Sequence, residues 1–275
     1  MPDSPPLALA TSPGPRHART LRWDIGAHRF EPHFHEQFFV AAITRGDCHF
    51  VCAGQACTAR QGDLVVIPPF QIHQALSSEG THYQALYLAE SDLWLPAPPS
   101  APAHHALADV STGPVWWGEP VLPKHPLAMP LAQALDRQDL RAAMHLAYTV
   151  LGAGLGEARW HSLPPHPLQR PELRAWLEAT QSQPTLAQGA RGLQLSPTAF
   201  SRAFQHTFGM RAVFFRNQMR LQQAEDLLLQ SMPAGQVAAH CGYADQAHLT
   251  RELKKFRGVT PRHYPRHYQA LHGGL

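Results

Sequence analysis

Cysteine is scarce in this chain, four in 275 residues (Cys48, Cys52, Cys57 and Cys241), too few for a protein of this size to rest on a disulfide framework. Long apolar runs are missing as well. No stretch approaches the roughly 18 consecutive apolar residues of a membrane-crossing helix, and the first residues lack a basic-then-apolar leader. A cytoplasmic protein without a membrane partner is the expectation. Neither a Ser-His-Asp arrangement nor a phosphate-cradling glycine loop can be picked out, so those two common enzyme chemistries have no sequence support. Strong net charge is absent too, but the overall +3 hides a division. From Arg170 onward there are 13 Lys/Arg and 6 Asp/Glu, a net of +7, whereas the preceding residues carry a net of −4. A basic C-terminal part beside an acidic N-terminal part suits one domain that meets a polyanion and another held away from it. Charge alone does not choose between duplex DNA, RNA and an anionic membrane surface.

The choice comes from what is present between Gln236 and Tyr264. Leu249, Leu253 and Phe256 recur at i, i+4 and i+7, one face of a helix. Asp245 stands just before them, where its carboxylate can accept from otherwise unpaired backbone N–H groups. The opposite face carries Gln246, Thr250, Arg251, Lys254 and Lys255. Upstream lie a short apolar piece, Val237–Cys241, and Gly242, free to adopt the positive φ of a tight turn. Short helix, turn and capped basic helix describe a helix-turn-helix. An isolated stretch of this kind could equally be a solvated surface helix, but here the pattern occurs twice. Phe200-Ser201-Arg202-Ala203-Phe204 matches Leu249-Thr250-Arg251-Glu252-Leu253 in residue class, 49 positions earlier. Ser196 can cap that helix, Pro197 suits its first position, and Ala187, Ala190 and Leu193 supply a preceding short helix. Between the copies, Val213 to Leu229 contains no Gly or Pro and is expected to be a connecting helix, with Val213, Met219, Ala224, Leu227 and Leu228 facing inward.

These stretches resemble the AraC/XylS-type bacterial transcription regulators. The resemblance rests on Gly242-Tyr243-Ala244-Asp245-Gln246-Ala247-His248-Leu249-Thr250-Arg251, on Gly258-Val259-Thr260-Pro261 and Tyr264, and more weakly on Leu195-Ser196-Pro197 with Phe200-Ser201-Arg202. It spans about residues 170 to 268. It implies a one-component regulator of transcription that is not an enzyme, with double-stranded DNA as partner and RNA polymerase as a candidate one. It also implies that the positions beside the two Ser/Thr-Arg pairs face DNA. Arg202 and Arg251 are the base-reading candidates, because a guanidinium pairs bidentately with guanine O6 and N7. Thr198, Ser201 and Gln205 on the first helix, and Gln246, His248 and Thr250 on the second, can read neighbouring edges or reach phosphates. Lys254, Lys255 and Arg257 are expected on phosphates. Gln194 occupies the place of the family's first turn glycine, so that turn is expected to be strained or reshaped.

The N-terminal texture differs. After a Pro-, Ala- and Ser-rich arm (residues 1–17), short β-rich runs end at turn signals: Phe38–Ile43 at Arg45-Gly46-Asp47, Cys48–Cys52 at Ala53-Gly54-Gln55, Cys57–Arg60 at Gln61-Gly62-Asp63 and Leu64–Ile67 at Pro68-Pro69. Tyr83–Leu88 follows. The spacing predicts an antiparallel barrel or jelly roll over 18–95. Within it, Pro32-His33-Phe34-His35 and Gly62 to His73 resemble the two halves of a cupin signature, which implies a domain that senses a small-molecule effector. His33 and His35 would share one face and His73 could join them. These histidines could line an organic-effector pocket, hold a divalent metal or simply be structural. No cofactor is required, and a divalent metal is the one candidate. A metal-dependent cupin enzyme, an oxygenase or isomerase, is the rival reading, though it leaves the paired helical motifs unexplained. Cys48 and Cys52 share a strand face with Phe50 between them and are expected to be core rather than metal-sensing thiols.

Residues 96–160 begin Pro-rich, with Trp116-Trp117 expected to pack on the barrel or a partner. They continue into two helices broken near Asp136–Asp139, suited to coupling the domains and pairing a homodimer. A linker at 161–170 and a double helix-turn-helix domain at 171–270 complete an α+β, two-domain plan.

Overall fold

The computed structural model describes residues 19–24, 27–52, 54–69, 71–77, 79–88, 115–116, 119–157, 161–162, 185–208 and 210–270. The N-terminal arm, most of the Pro-rich segment and most of the linker therefore lie outside the described residues. Twelve strands are described. They are β1 (Arg19–Trp23), β2 (His28–Arg29), β3 (Phe38–Arg45), β4 (Asp47–Cys52), β5 (Gln55–Arg60), β6 (Leu64–Ile67), β7 (His73–Ser77), β8 (His82–Leu88), β9 (Val115–Trp116), β10 (Val121–Leu122), β11 (His161–Ser162) and β12 (Tyr268–Ala270). Antiparallel pairing builds a six-stranded sheet in the order β10-β6-β3-β8-β1-β12 and a four-stranded sheet in the order β2-β7-β4-β5. A separate β9–β11 pair stands apart from both.

The central strands of the larger sheet read as nearly unbroken apolar runs because both of their faces are covered. Ala41, Ile43, Val65, Tyr83 and Ala85 share a core with Cys48, Phe50 and Cys52 of the smaller sheet. The alternate residues Val40, Ala42, Leu64, Val66, Leu86 and Leu88 meet a helical hairpin, α1 (Ala128–Asp136) and α2 (Leu140–Glu157). That hairpin breaks where the sequence predicts. Its stripe of Leu131, Leu135, Met144, Ala147 and Val150, suited on paper to pairing two subunits, is buried against the chain's own sheet.

Six further helices form the C-terminal part: α3 (Leu186–Gly192), α4 (Pro197–Phe208), α5 (Ala212–Leu229), α6 (Ala234–His240), α7 (Gln246–Arg257) and α8 (Tyr264–His267). The caps are local chemistry. Thr185 and Gln188 form a reciprocal capping box on α3. Ser196 Oγ accepts from Ala199 N at 3.1 Å, and Asp245 Oδ1 from His248 N at 2.6 Å. On α5 the inward stripe differs from expectation. Val213 is exposed, whereas Phe215, Gln218, Leu221, Gln222, Glu225 and Leu228 are buried, because this helix is enclosed by the sensor as well as by both motifs.

The two turns share one backbone shape. Gln194 has φ 55° and Gly242 φ 68°, and Leu195 N and Tyr243 N reach back 2.8 Å to the carbonyls of Ala190 and Ala238. The turn is thus strained, as expected, but not reshaped. The second motif differs in having one more residue, Ala244, between its turn and its cap. A side chain in the left-handed region costs of order 1 kcal/mol. Gln194→Gly should therefore stabilise the protein by up to about 1 kcal/mol, read as a raised denaturation midpoint, with unchanged or lower stability as the contrary result.

The two parts are joined through their cores. β12, at the end of the helical part, pairs with β1 of the sensor sheet in the register Leu21↔Tyr268 and Arg19↔Ala270. Phe34, fully buried, leaves the sensor to pack with Phe200, Phe204, Met210 and Phe215. Gly258 closes α7 at φ 74°, and a Cβ there would come within 2.6 Å of Trp23 Cη2, so glycine is required both by conformation and by the close approach of the sensor.

Candidate functional site

His33 and His73 face each other across an isolated antiparallel bridge, with 2.9 Å backbone hydrogen bonds in both directions. No regular strand runs through 31–37, yet side chains alternate there as in a strand. His33 and His35 turn inward, while Phe34 between them turns out into the first helix-turn-helix motif. The three rings lie 4.3 to 5.0 Å apart between centroids. One candidate ligand atom from each falls within 4.8 Å of the others.

The ring orientations of two of them follow from hydrogen bonding. His33 Nδ1 lies 2.7 Å from Glu31 O, and His73 Nδ1 lies 2.9 Å from Gln71 O. A carbonyl oxygen only accepts, so both Nδ1 atoms carry the proton and both Nε2 atoms present lone pairs. Burial holds all three imidazoles well below the usual histidine range, with neighbouring rings and the Arg257 charge adding to the effect on His33 and His35. His73 is brought down to about 4, mainly by burial and further by Arg257. At neutral pH the trio is uncharged. His35 Nδ1 is buried with no hydrogen-bond partner.

These histidines line a cavity walled mainly by Phe30, Phe39, Phe50, Ile67 and Tyr83. Two of its walls come from the far end of the chain, Arg257 and Tyr268. Arg257 was expected on a phosphate. It is instead 1% exposed, with Nε 2.7 Å from Glu225 Oε1 and Nη1 donating to Phe256 O. Its Nη2 is buried without a hydrogen-bond partner. The other oxygen of Glu225 accepts from Arg19 Nη1 at 2.8 Å and from the Tyr264 hydroxyl at 2.9 Å. Burial alone would raise the Glu225 pKa, but Arg257, Arg19 and the Tyr264 hydroxyl together hold it below the usual carboxylate value. Sensor strand, connecting helix and second motif thus meet on one carboxylate.

Arg257 and Glu225 were readable in hindsight. Leu249, Leu253, Phe256 and Arg257 complete an i, i+4, i+7, i+8 stripe, and Leu221, Glu225 and Leu228 lie on another, so each charge occupies an inward position. Phe34 and Arg19 left no such signal. Cys48 and Cys52 are core residues: burial pushes the Cys48 thiol up to about 11 and the Cys52 thiol up to about 12, far from a reactive thiolate.

Away from the cavity, Thr198, Arg202 and Gln205 on α4 and Gln246, Arg251, Lys254 and Lys255 on α7 are solvent-exposed. Ser201, His248 and Thr250 are half-buried. The Thr250 hydroxyl donates to Gln246 O of its own helix, and the His248 ring packs edge-on against Tyr243. Phe200, Phe204, Leu249 and Leu253 face the core, as the repeated pattern requires.

Residues 19–105 match the family model of an AraC-like ligand binding domain, and residues 190–267 match that of a helix-turn-helix domain. The chain belongs to the AraC-type regulators. The arabinose operon regulatory proteins of Salmonella typhimurium strain LT2 and Escherichia coli strain K12 are each 32% identical to it over 77 residues. That match covers 28% of this chain and spans about a quarter of the curated relatives' length, 27% and 26%. Unsaturated fatty acid-bound ToxT from Vibrio cholerae strain SCE256 superposes with a TM-score of 0.60 at 10% identity, over 91% of this chain and 94% of that one. ToxT from Vibrio cholerae O395 gives 0.58 at 9% identity, over 90% and 95%. At such low identity this likeness concerns the fold, and for this AraC-type regulator it extends over both parts. No helix among the described residues is long and apolar enough to cross a membrane.

Proposed function

We propose that this AraC-type regulator reads a promoter site with its two helix-turn-helix motifs and adjusts that reading to a small molecule held in the sensor cavity. The observation that carries the proposal is the cavity's mixed wall, in which Arg257 and Tyr268 of the reader close a pocket otherwise built by the sensor. A ligand there touches both parts directly. It also presses on the 33–35 segment, whose Phe34 is embedded in the first motif and whose Phe34 carbonyl accepts from Gln222 of the connecting helix. Two motifs and one pocket then share a mechanical connection, as a population shift between two reader arrangements requires.

On the DNA side, Arg202 and Arg251 read bases, with Thr198, Ser201, Gln205, Gln246, His248 and Thr250 beside them and Lys254 and Lys255 on phosphates. The walls suit a small, largely apolar effector. ToxT, similar in fold, has been solved with an unsaturated fatty acid bound, a ligand of that general kind. The cupin-enzyme alternative uses the same histidines but gives the exposed basic helices no purpose.

The test is to sequence genomic fragments retained by the purified full chain, with and without candidate apolar acids, and to titrate binding against salt. The expected outcome is enrichment of one motif, an affinity that falls steeply with salt and a response to at least one ligand. Retention with no sequence preference at any salt would overturn the reading.

A further inference from the structure

Arg257 and the histidines make opposite demands on whatever the cavity holds. Beside it, among the described residues, the buried charges are the Arg19 and Arg257 guanidiniums and the Glu225 carboxylate, two positive against one negative. Arg19 lies over the ring of Tyr87, a cavity wall, at 4.5 Å. The buried Asp63 offers no further compensation, being tied to the backbone amides of Arg60 and Lys124. Burying an uncompensated charge is costly, so an anion is favoured here and a cation is not. Arg257 lines the cavity, and its Nη2 is buried without a hydrogen-bond partner, which marks where an acceptor is missing. The rings require the reverse. His33 and His73 hold their Nδ1 protons on the carbonyls of Glu31 and Gln71, so each presents only the Nε2 lone pair. A lone pair cannot meet a carboxylate; it needs an O–H or N–H donor. The two rings are neighbours, 4.3 Å apart between centroids, so donors on adjacent ligand atoms serve both. Phe30, Phe39, Phe50 and Tyr83 add flat apolar walls that favour an aromatic ring.

We propose that the cavity takes an aromatic carboxylic acid bearing two adjacent hydroxyls, its carboxylate against Arg257 and its hydroxyls donating to Nε2 of His33 and His73. This rests on the reading of the cavity as the sensor pocket and deepens it by naming the effector's chemistry. Each group of the ligand answers a separate deficit. Without the carboxylate, the excess buried charge and the bare Nη2 of Arg257 persist. Without the hydroxyls, the ligand covers two imidazole lone pairs with carbon, and each lost pairing weakens binding. The same acid reaches the reader, because Arg257 is the last residue of α7. A carboxylate bound there shares the guanidinium with Glu225, so occupancy bears on the ion pair that joins α7 to the connecting helix.

The experiment titrates the full chain calorimetrically with protocatechuate, para-hydroxybenzoate, benzoate and catechol, with EDTA present so that no trace metal binds the catechol. Protocatechuate should bind tightest and raise the melting temperature most. Each hydroxyl removed, in para-hydroxybenzoate and then benzoate, should weaken binding about tenfold, and so should removal of the carboxylate in catechol. Arg257→Gln should close the gap between protocatechuate and catechol. His33→Leu and His73→Leu should each narrow the gap between protocatechuate and benzoate by about tenfold. Should a variant fail to fold, the wild-type series decides alone. Benzoate or catechol binding as tightly as protocatechuate, or no heat and no thermal shift from any of the four, would overturn the proposal. Promoter-site retention is measured on the same preparation. Sequence-selective retention without the expected ligand order removes only this ligand class, whereas the ligand order without selective retention leaves the site and removes the regulator reading.

Discussion

Glu225→Gln should destabilise the protein by about 3–5 kcal/mol at neutral pH, the cost of leaving buried guanidiniums without their counter-charge. The carboxylate is fully buried and holds Arg19 at 2.8 Å and Arg257 at 2.7 Å. Removing its charge strands one arginine on the sensor strand and another on the reader helix. The pH dependence follows from the lowered pKa of this group. A carboxyl whose folded pKa lies below its unfolded value of about 4.5 contributes fully above that value, and the contribution is lost as pH falls through the folded pKa. Urea midpoints of wild type and variant should therefore differ most between pH 5 and 7, begin to converge below about 4.5 and meet as pH falls through the lower folded value, since glutamine does not titrate. A gap that persists unchanged into acid would mean that packing, not charge, is lost. Removing the exposed Arg22–Asp136 pair, 3.4 Å apart, should cost under about 1 kcal/mol and provides the contrast.

Arg202→Ala and Arg251→Ala should each weaken binding to the cognate site by roughly 1–3 kcal/mol, and each should relax preference at its own base positions. Both side chains are exposed on helices whose opposite faces are pinned by Phe200 and Phe204 or by Leu249 and Leu253. The two motifs present them from equivalent positions, because Arg202 follows its cap Ser196 at the same spacing as Arg251 follows Asp245. Lys255→Ala should lower affinity about equally on cognate and random DNA and reduce the salt slope by about one unit, since a phosphate carries no base identity. An operator library bound at fixed salt separates the cases. If both arginine variants lose affinity uniformly across sequences, the two guanidiniums are phosphate clamps.

Much of the fold is legible in the chain because its signals are short-range. The i, i+4, i+7 spacing of Leu249, Leu253 and Phe256, the caps Ser196 and Asp245, and the break between Asp136 and Leu140 depend on residues within a turn or two of each other. The Gly-Asp and Pro turns mark the strand ends for the same reason, and the structure places β3 to β6 and β8 within two or three residues of those marks. The three histidines converge as their alternation suggests, although only the bridge between His33 and His73 supplies the strand-like geometry.

The remainder depends on partners far away in the chain. Arg19 meets residues 206 and 245 positions away, and β12 adds to a sheet that begins some 250 residues earlier. A basic residue at the end of a basic helix looks like a phosphate contact until its environment is known. Arg257 is drawn inward because Glu225, itself enclosed by the sensor, supplies the counter-charge for burying it. Composition, charge division and local periodicity determined by themselves that this chain has a β-rich N-terminal part and two basic helix-turn-helix motifs. Only the tertiary structure decided that Arg257, at the end of the second motif, and Tyr268 close the cavity of the N-terminal part. A buried ion pair and a sheet edge are satisfied by whichever groups the whole chain brings together, and no local pattern records which those are.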